Sequence, residues 1–274
     1  MRILDLVAYV AALSVFLLAL FSAATRDVNA PPPVPEAITN AGAALAPPSI
    51  FDEQVLIQAA SPRDGVGTAF AINEDGYWLT ARHVVDGCKN VGLFVRNGVY
   101  MPAQEVHVDD EFDLALIRTK HSPSPVQLNL SADLRIGIEG FHVGFPQGKP
   151  GEAVARLHSR SNLVTSGRRK ARESVLTWSE LGRTDGLGGS LGGISGGPVY
   201  DQDGAVRGVV LAESPRRGRI YTAAPDTIRT FLDEQGVDYA GEPARGFSLR
   251  NYGGEADRAR RIGQVVKVAC RVTG

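Results

Sequence analysis

Ser195 stands between glycines and ahead of Gly-Pro in the segment Gly193–Tyr200, GISGGPVY. A serine hydroxyl attacks a carbonyl when a base takes its proton and when nearby amides hold the oxyanion that forms. Gly193, Gly196 and Gly197 let the chain turn tightly enough to bring such amides close. A base lies upstream: Leu79–Val85 reads LTARHVV, an apolar strand end followed by His83. An acid lies between them: Asp113–Ile117 reads DLALI, with Asp113 directly before an apolar run that buries it. A buried carboxylate needs a partner, and His83 is the expected one. The order His83, Asp113, Ser195 is one of the three in which Ser-His-Asp triads occur. In that reading Ser195 attacks, His83 moves the proton and Asp113 holds the imidazole. The N–H groups of Gly193 and Ser195 form the oxyanion hole.

The rival chemistries are weaker. His107, His121, His142 and His158 lack the setting of His83 and read as surface or packing residues, with His142 the one to watch. Asp109, Asp110 and Glu111 read as a solvated loop, and so does the basic run Arg168, Arg169, Lys170 and Arg172. No His/Cys cluster has metal-ligand spacing, so no metal is expected. GLGGSLGGISGG lacks the Lys-Ser/Thr end of a phosphate loop, and no cofactor is expected. With 29 Lys and Arg against 30 Asp and Glu, the net charge of −1 gives nucleic acid nothing to bind. Cys88 and Cys270 are the two cysteines of the chain. They either pair in an oxidising compartment, tying the tail to the loop after His83, or remain two buried thiols.

The elements that must position these residues are mostly strands. Short apolar runs broken by Gly, Asp and Asn recur from Phe51 to about residue 240: Val55–Ala60, Thr68–Ile72, Tyr77–Thr80, Val91–Arg96, Leu114–Arg118, Phe141–Gly144, Val154–His158, Ser174–Trp178, Val206–Leu211 and Ile220–Ala223. That pattern predicts an all-β sandwich or barrel and does not choose between them. Asp226–Gln235 reads as a helix capped by Asp226 or Thr227 and closed by Gly236. In the tail, residues 241–274, Glu255–Ile262 reads as a helix and Gln264–Val272 as a strand. Leu6–Thr25 is an uncharged apolar stretch, read as an uncleaved transmembrane anchor or alternatively as a signal sequence. Residues 26–50 hold Pro31, Pro32, Pro33, Pro35, Pro47 and Pro48 among alanines, an extended tether. Either reading sends the folded part across a membrane.

The segments GTAF (Gly67–Phe70), LTARHVV, DLALI and GISGGPVY, taken in order, resemble the trypsin-like serine peptidases. GFPQGKPG at Gly144–Gly151 makes the bacterial HtrA-like members the nearest flavour. The resemblance covers about residues 51–240 and implies two six-stranded antiparallel barrels, about 51–125 and 135–225, with the triad at their junction. It implies a serine endopeptidase acting on polypeptides. By the same resemblance Gly189 lies on the floor of the specificity pocket, admitting a small or medium apolar side chain. Leu211, Ala212 and Glu213 pair with the substrate backbone. Leu211 replaces a serine common in the animal enzymes, and Ile194 replaces the aspartate of their zymogen switch. The loop Arg183–Gly192 is expected to be mobile through its glycines. The tail is too short for a PDZ domain.

Overall fold

The computed structural model describes residues 42–59, 61–95, 98–130, 133–239, 241 and 245–273. The expected transmembrane segment lies outside them; among the described residues no helix is long and apolar enough to cross a membrane. The fold is built from strands in two seven-stranded sheets.

Strand β1 (Glu53–Ala59) leads into β2 (Gly65–Ala71), β3 (Tyr77–Ala81), the single-turn helix α1 (Arg82–Val85), β4 (Asn90–Phe94), β5 (Tyr100–Pro102), β6 (Glu105–Val108) and β7 (Leu114–Arg118). The second half supplies β8 (Glu139–Gly144), β9 (Gly151–Gly167), β10 (Ala171–Arg183), β11 (Pro198–Tyr200), β12 (Val206–Ser214) and β13 (Arg219–Ala223). Helices α2 (Pro225–Gln235) and α3 (Tyr252–Arg261) and strand β14 (Val265–Arg271) follow.

In the second sheet β8 pairs with both β9 and β11, so β8, β9, β10, β13, β12 and β11 close into a barrel. The expected antiparallel six-stranded plan needs two corrections. First, β1 does not enter the first sheet. It runs parallel along the far half of β9, from Glu53 opposite Ser161 to Ala59 opposite Gly167. Strand β9 is 17 residues long, well beyond its span beside β8, and its free edge offers a full row of backbone donors and acceptors. Second, the tail strand β14 is an interior member of the first sheet, in the order β5-β4-β14-β2-β3-β7-β6. Its Val266 and Val268 are buried with Trp78, Leu93 and Ile117. Lacking β1, the sheet takes the tail to cover the donors of β2 and β4. A disulfide between Cys88 and Cys270 fastens that strand beside the loop after α1.

Periodicity located the long apolar strands and passed over β5, β6 and β11. Every residue of β6 is exposed, so no burial pattern marks it. Helix α2 begins earlier than expected: Ala224 precedes it without a side-chain cap and Pro225 opens it. Proline supplies the helical φ without an orphan N–H, so no cap from Asp226 or Thr227 is used. Gly236 closes the helix at φ 61°, and Ile228, Phe231 and Leu232 are buried. One apolar cluster runs through both halves, joining Phe70, Leu79 and Leu114 to Phe141, Val209 and Tyr221. The buried indoles are satisfied, Trp78 by Thr119 at 2.8 Å and Trp178 by Thr222 at 2.9 Å.

Candidate active site

The pairing of β3 with β7 sets Ala81 opposite Leu114. The residues that follow β3 and precede β7 are therefore neighbours, and His83 meets Asp113 there. The His83 Nδ1 lies 2.7 Å from Asp113 Oδ2, and the His83 backbone N–H donates to Oδ1 at 2.9 Å. The Arg82 N–H donates to the Asp113 carbonyl at 3.1 Å. Asp113 is 8% exposed, whereas the His83 side chain is 46% exposed. Desolvation on its enclosed side lowers the His83 pKa, but the charge and hydrogen bond of Asp113 outweigh it and hold the imidazole above its ordinary 6.5.

Ser195 sits in the turn before β11. Ile194 N–H donates to Leu191 O at 2.9 Å, Gly197 N–H to Ile194 O at 2.8 Å and Gly196 N–H to Val210 O at 2.7 Å. Gly196, at φ 83°, packs so tightly that a Cβ there overlaps Thr68 O and Thr80 Oγ1. No hydrogen bond among the described residues joins His83 to Ser195, and none is donated by the backbone N–H of Gly193 or Ser195.

The two halves are stitched at this turn by Thr68 of β2. Its N–H donates to Ser195 O at 2.9 Å, and its Oγ1 donates to Gly193 O at 2.8 Å while accepting from Phe145 N–H at 3.1 Å. Thr80 Oγ1 in turn donates to Thr68 O at 2.7 Å.

Beyond Val210, which still exchanges hydrogen bonds with Gly196 and Gly197, strand β12 pairs among the described residues with β13 alone. Its other edge carries Leu211, Ala212 and Glu213. The Leu211 side chain is buried in the common core. Glu213 accepts a hydrogen bond from Ser190 Oγ. Gly189 is exposed at φ 73°, and a Cβ there would touch nothing. The loop that carries it is gripped from several sides: Arg183 Nη1 donates to Gly189 O at 2.8 Å, and Gln147 Nε2 donates to Gly188 O and Ser190 O at 2.9 Å each.

Several residues escaped the reading of the sequence. Glu173 of β10, 5% exposed, accepts from the Asp113 N–H at 3.3 Å. Burial, then the Asp113 charge, pushes its carboxyl up to about 8. Asp109 is not solvated but 6% exposed, accepting from the Glu111 N–H at 2.8 Å and the Phe112 N–H at 2.5 Å. The basic run is not a free loop either. Arg168 pairs with Asp86 at 2.5 Å, and Arg169 donates to Phe112 O at 3.2 Å and Asp110 O at 2.7 Å. An acidic residue within a strand, Glu173, was the one available signal, since such a residue needs a reason to be buried. His142, on β8, is fully buried with its ring edge-on to Trp178, 5.4 Å between centroids. Among the described residues no group of three or more His, Cys, Asp or Glu side chains converges as a metal site.

A model of the trypsin-like peptidase domain matches residues 67–209, just over half of the 274-residue chain. The chain belongs to the trypsin-like peptidase domain family. Among curated proteins it is 27% identical over 205 residues to the periplasmic pH-dependent serine endoprotease DegQ of Escherichia coli, covering 72% of this chain and 42% of that protein. It is 32% identical over 177 residues to the serine protease HTRA1A of Danio rerio, covering 61% of this chain and 34% of that protein. The chain thus spans less than half the length of these relatives. In fold it is similar to the active form of the Rv3671c protease from M. tuberculosis, with a TM-score of 0.53, 19% identity and coverage of 73% and 97% of the two chains.

Proposed function

We propose that this chain is an HtrA-like serine endopeptidase that cleaves polypeptides through an acyl-enzyme formed on Ser195. The observation that carries the reading is the His83–Asp113 pair at 2.7 Å, on the same sheet that holds the nucleophile turn through Thr68. Ser195 Oγ attacks the peptide carbonyl as His83 Nε2 takes its proton. The C–N bond then breaks, and the imidazolium gives that proton to the leaving amine. Water repeats the sequence on the acyl ester, releasing the carboxylate and restoring Ser195. Asp113 keeps the Nδ1 proton in place and stabilises the imidazolium. The amides of Gly193 and Ser195, which donate to no acceptor among the described residues, take the developing oxyanion. In free enzymes the nucleophile–base contact is often long and tightens on binding, which agrees with the missing His83–Ser195 bond.

Substrate enters as an added strand along the free edge of β12 at Leu211, Ala212 and Glu213, its preceding side chain resting over Gly189. Gly189 brings no charge, so a small or medium apolar side chain fits better than Arg or Lys. The apolar segment Leu6–Thr25 anchors the chain in the inner membrane and leaves the catalytic part in the periplasm. The disulfide agrees with an oxidising compartment.

The absent His83–Ser195 bond also fits a second reading, a binding protein whose triad never aligns. A fluorophosphonate probe separates them. Wild type is expected to label and to hydrolyse an unfolded protein, with both lost in Ser195→Ala; a wild type that neither labels nor cleaves overturns the peptidase reading.

A further inference from the structure

We propose that Gln147 is the positioning residue of the oxyanion amide at Gly193, a reading that rests on the peptidase function above. Gln147 lies in the turn between β8 and β9. It is the one non-glycine residue with positive φ, 53°, among the described residues. A side chain is disfavoured in that conformation, so its retention needs a compensating contact.

All its donors go to one place. The backbone N–H donates to Gly192 O at 2.6 Å. The side-chain amide donates to Gly188 O and Ser190 O at 2.9 Å each. These three acceptors span the run into the nucleophile turn. A planar trans peptide points its C=O and N–H in opposite directions, and the described chain has no cis peptide bond. Holding the Gly192 carbonyl toward Gln147 therefore turns the Gly193 N–H away from the β8–β9 turn. Among the described residues that N–H has no acceptor. If the peptide plane flips, the carbonyl of Gly192 faces the oxyanion position and repels it. Gly193 keeps φ 102°, and a Cβ there would lie 2.6 Å from Phe145 O. The turn thus leaves no room for a side chain at Gly193.

The turn is itself anchored by the tail. Arg260 of α3, 8% exposed, donates from Nη1 to Gly144 O at 3.4 Å and Gly151 O at 3.1 Å, the two residues that close the hairpin. Its Nη2 holds Glu152 at 2.6 Å. Gln147 therefore acts from a fixed platform, through Gly192, on the hydrogen bond that grows in the transition state.

The test compares the full-length wild type with Gln147→Gly and Gln147→Glu. Glycine keeps the left-handed backbone and its N–H but drops the side-chain grip. Glutamate keeps the size and sets a carboxylate against two carbonyls. Removal of a whole oxyanion donor costs about 10²–10³ in kcat; loosening one is expected to cost at least about tenfold. The loss falls on kcat, with KM within about threefold, and the affinity for a peptide aldehyde, whose adduct carries the oxyanion, falls in parallel with kcat. A merely structural role lowers the melting temperature and leaves that parallel absent. Variants that fold and turn over like wild type, or that lose only KM, overturn the inference. If Gln147→Glu does not fold, Gln147→Gly decides. A wild type that is silent and unlabelled overturns the peptidase reading and this inference with it, whereas an active wild type with unaffected variants overturns this inference alone.

Discussion

His142 shows how much one ring can matter to a barrel. Its position on β8 opposite Ala153 aims it into the packed interior beside Trp178. Burial pushes its pKa down to about 4, against the pull of the Gly140 and Ala153 carbonyls, neither of which closes a hydrogen bond of regular geometry. The ring is therefore neutral in the fold and takes up a proton on unfolding below its ordinary 6.5. Stability is complete above about pH 6.5 and is lost as pH falls toward 4. Each tenfold in proton affinity is about 1.4 kcal/mol, so the loss amounts to about 3 kcal/mol. Urea melts across pH 4–7 are expected to show the stability of wild type rising by this amount relative to that of His142→Leu as pH rises, whatever the other groups contribute to both. An identical slope in both would remove His142 as its cause.

The strand that decides the first sheet is β14, the last element of the described chain. Six register positions pair it with β2 and five with β4, so it does the work of a core strand. Cys270 lies on it, and Cys88 lies 182 residues away. Closing a loop of that length removes much freedom from the unfolded chain, on the order of 5 kcal/mol in the chain-entropy account. Replacing both cysteines with serine is expected to lower the urea midpoint and to abolish its sensitivity to reductant. The same midpoint with and without reductant in wild type would show that the bridge contributes nothing. Because Cys88 lies five residues past His83, the bridge also steadies the segment that carries the proposed base.

Across the whole molecule, the hairpin of β9 and β10 reaches from the barrel over the first sheet. Its tip binds Asp86 through Arg168 and the loop before Asp113 through Arg169. Glu173, on the same hairpin, touches Asp113 itself. Burial and the Asp113 charge raise Glu173 to about 8, so it is a neutral acid at pH 7 in the fold. Its unfolded carboxyl titrates near 4.5. The sign is thus opposite to that of His142: the contribution is complete below about pH 4.5 and is lost as pH rises through 8. Glu173→Gln preserves the shape, removes the titration and is expected to flatten the alkaline loss, which amounts to several kcal/mol. Urea melts at pH 5 and 9 check it, and equal alkaline losses in both proteins would refute the assignment.

Much of this was legible in local pattern. A serine among glycines, a histidine after a strand end and an acid before a buried run identify themselves by type and neighbours. Apolar alternation marks the longer strands, because a half-buried strand must repeat every two residues. Gly236 closed its helix where expected for the same local reason. Other features have no local signature. The parallel seat of β1, the insertion of β14 between β2 and β4, the contact of Glu173 with Asp113 and the grip of Gln147 on Gly192 all join segments far apart in the chain. Composition and spacing determined that this is a β protein whose His83, Asp113 and Ser195 follow one another in an order that Ser-His-Asp triads use. Only the folded chain decided which strand covers which edge, since unpaired backbone groups are satisfied by whichever distant segment reaches them with matching register.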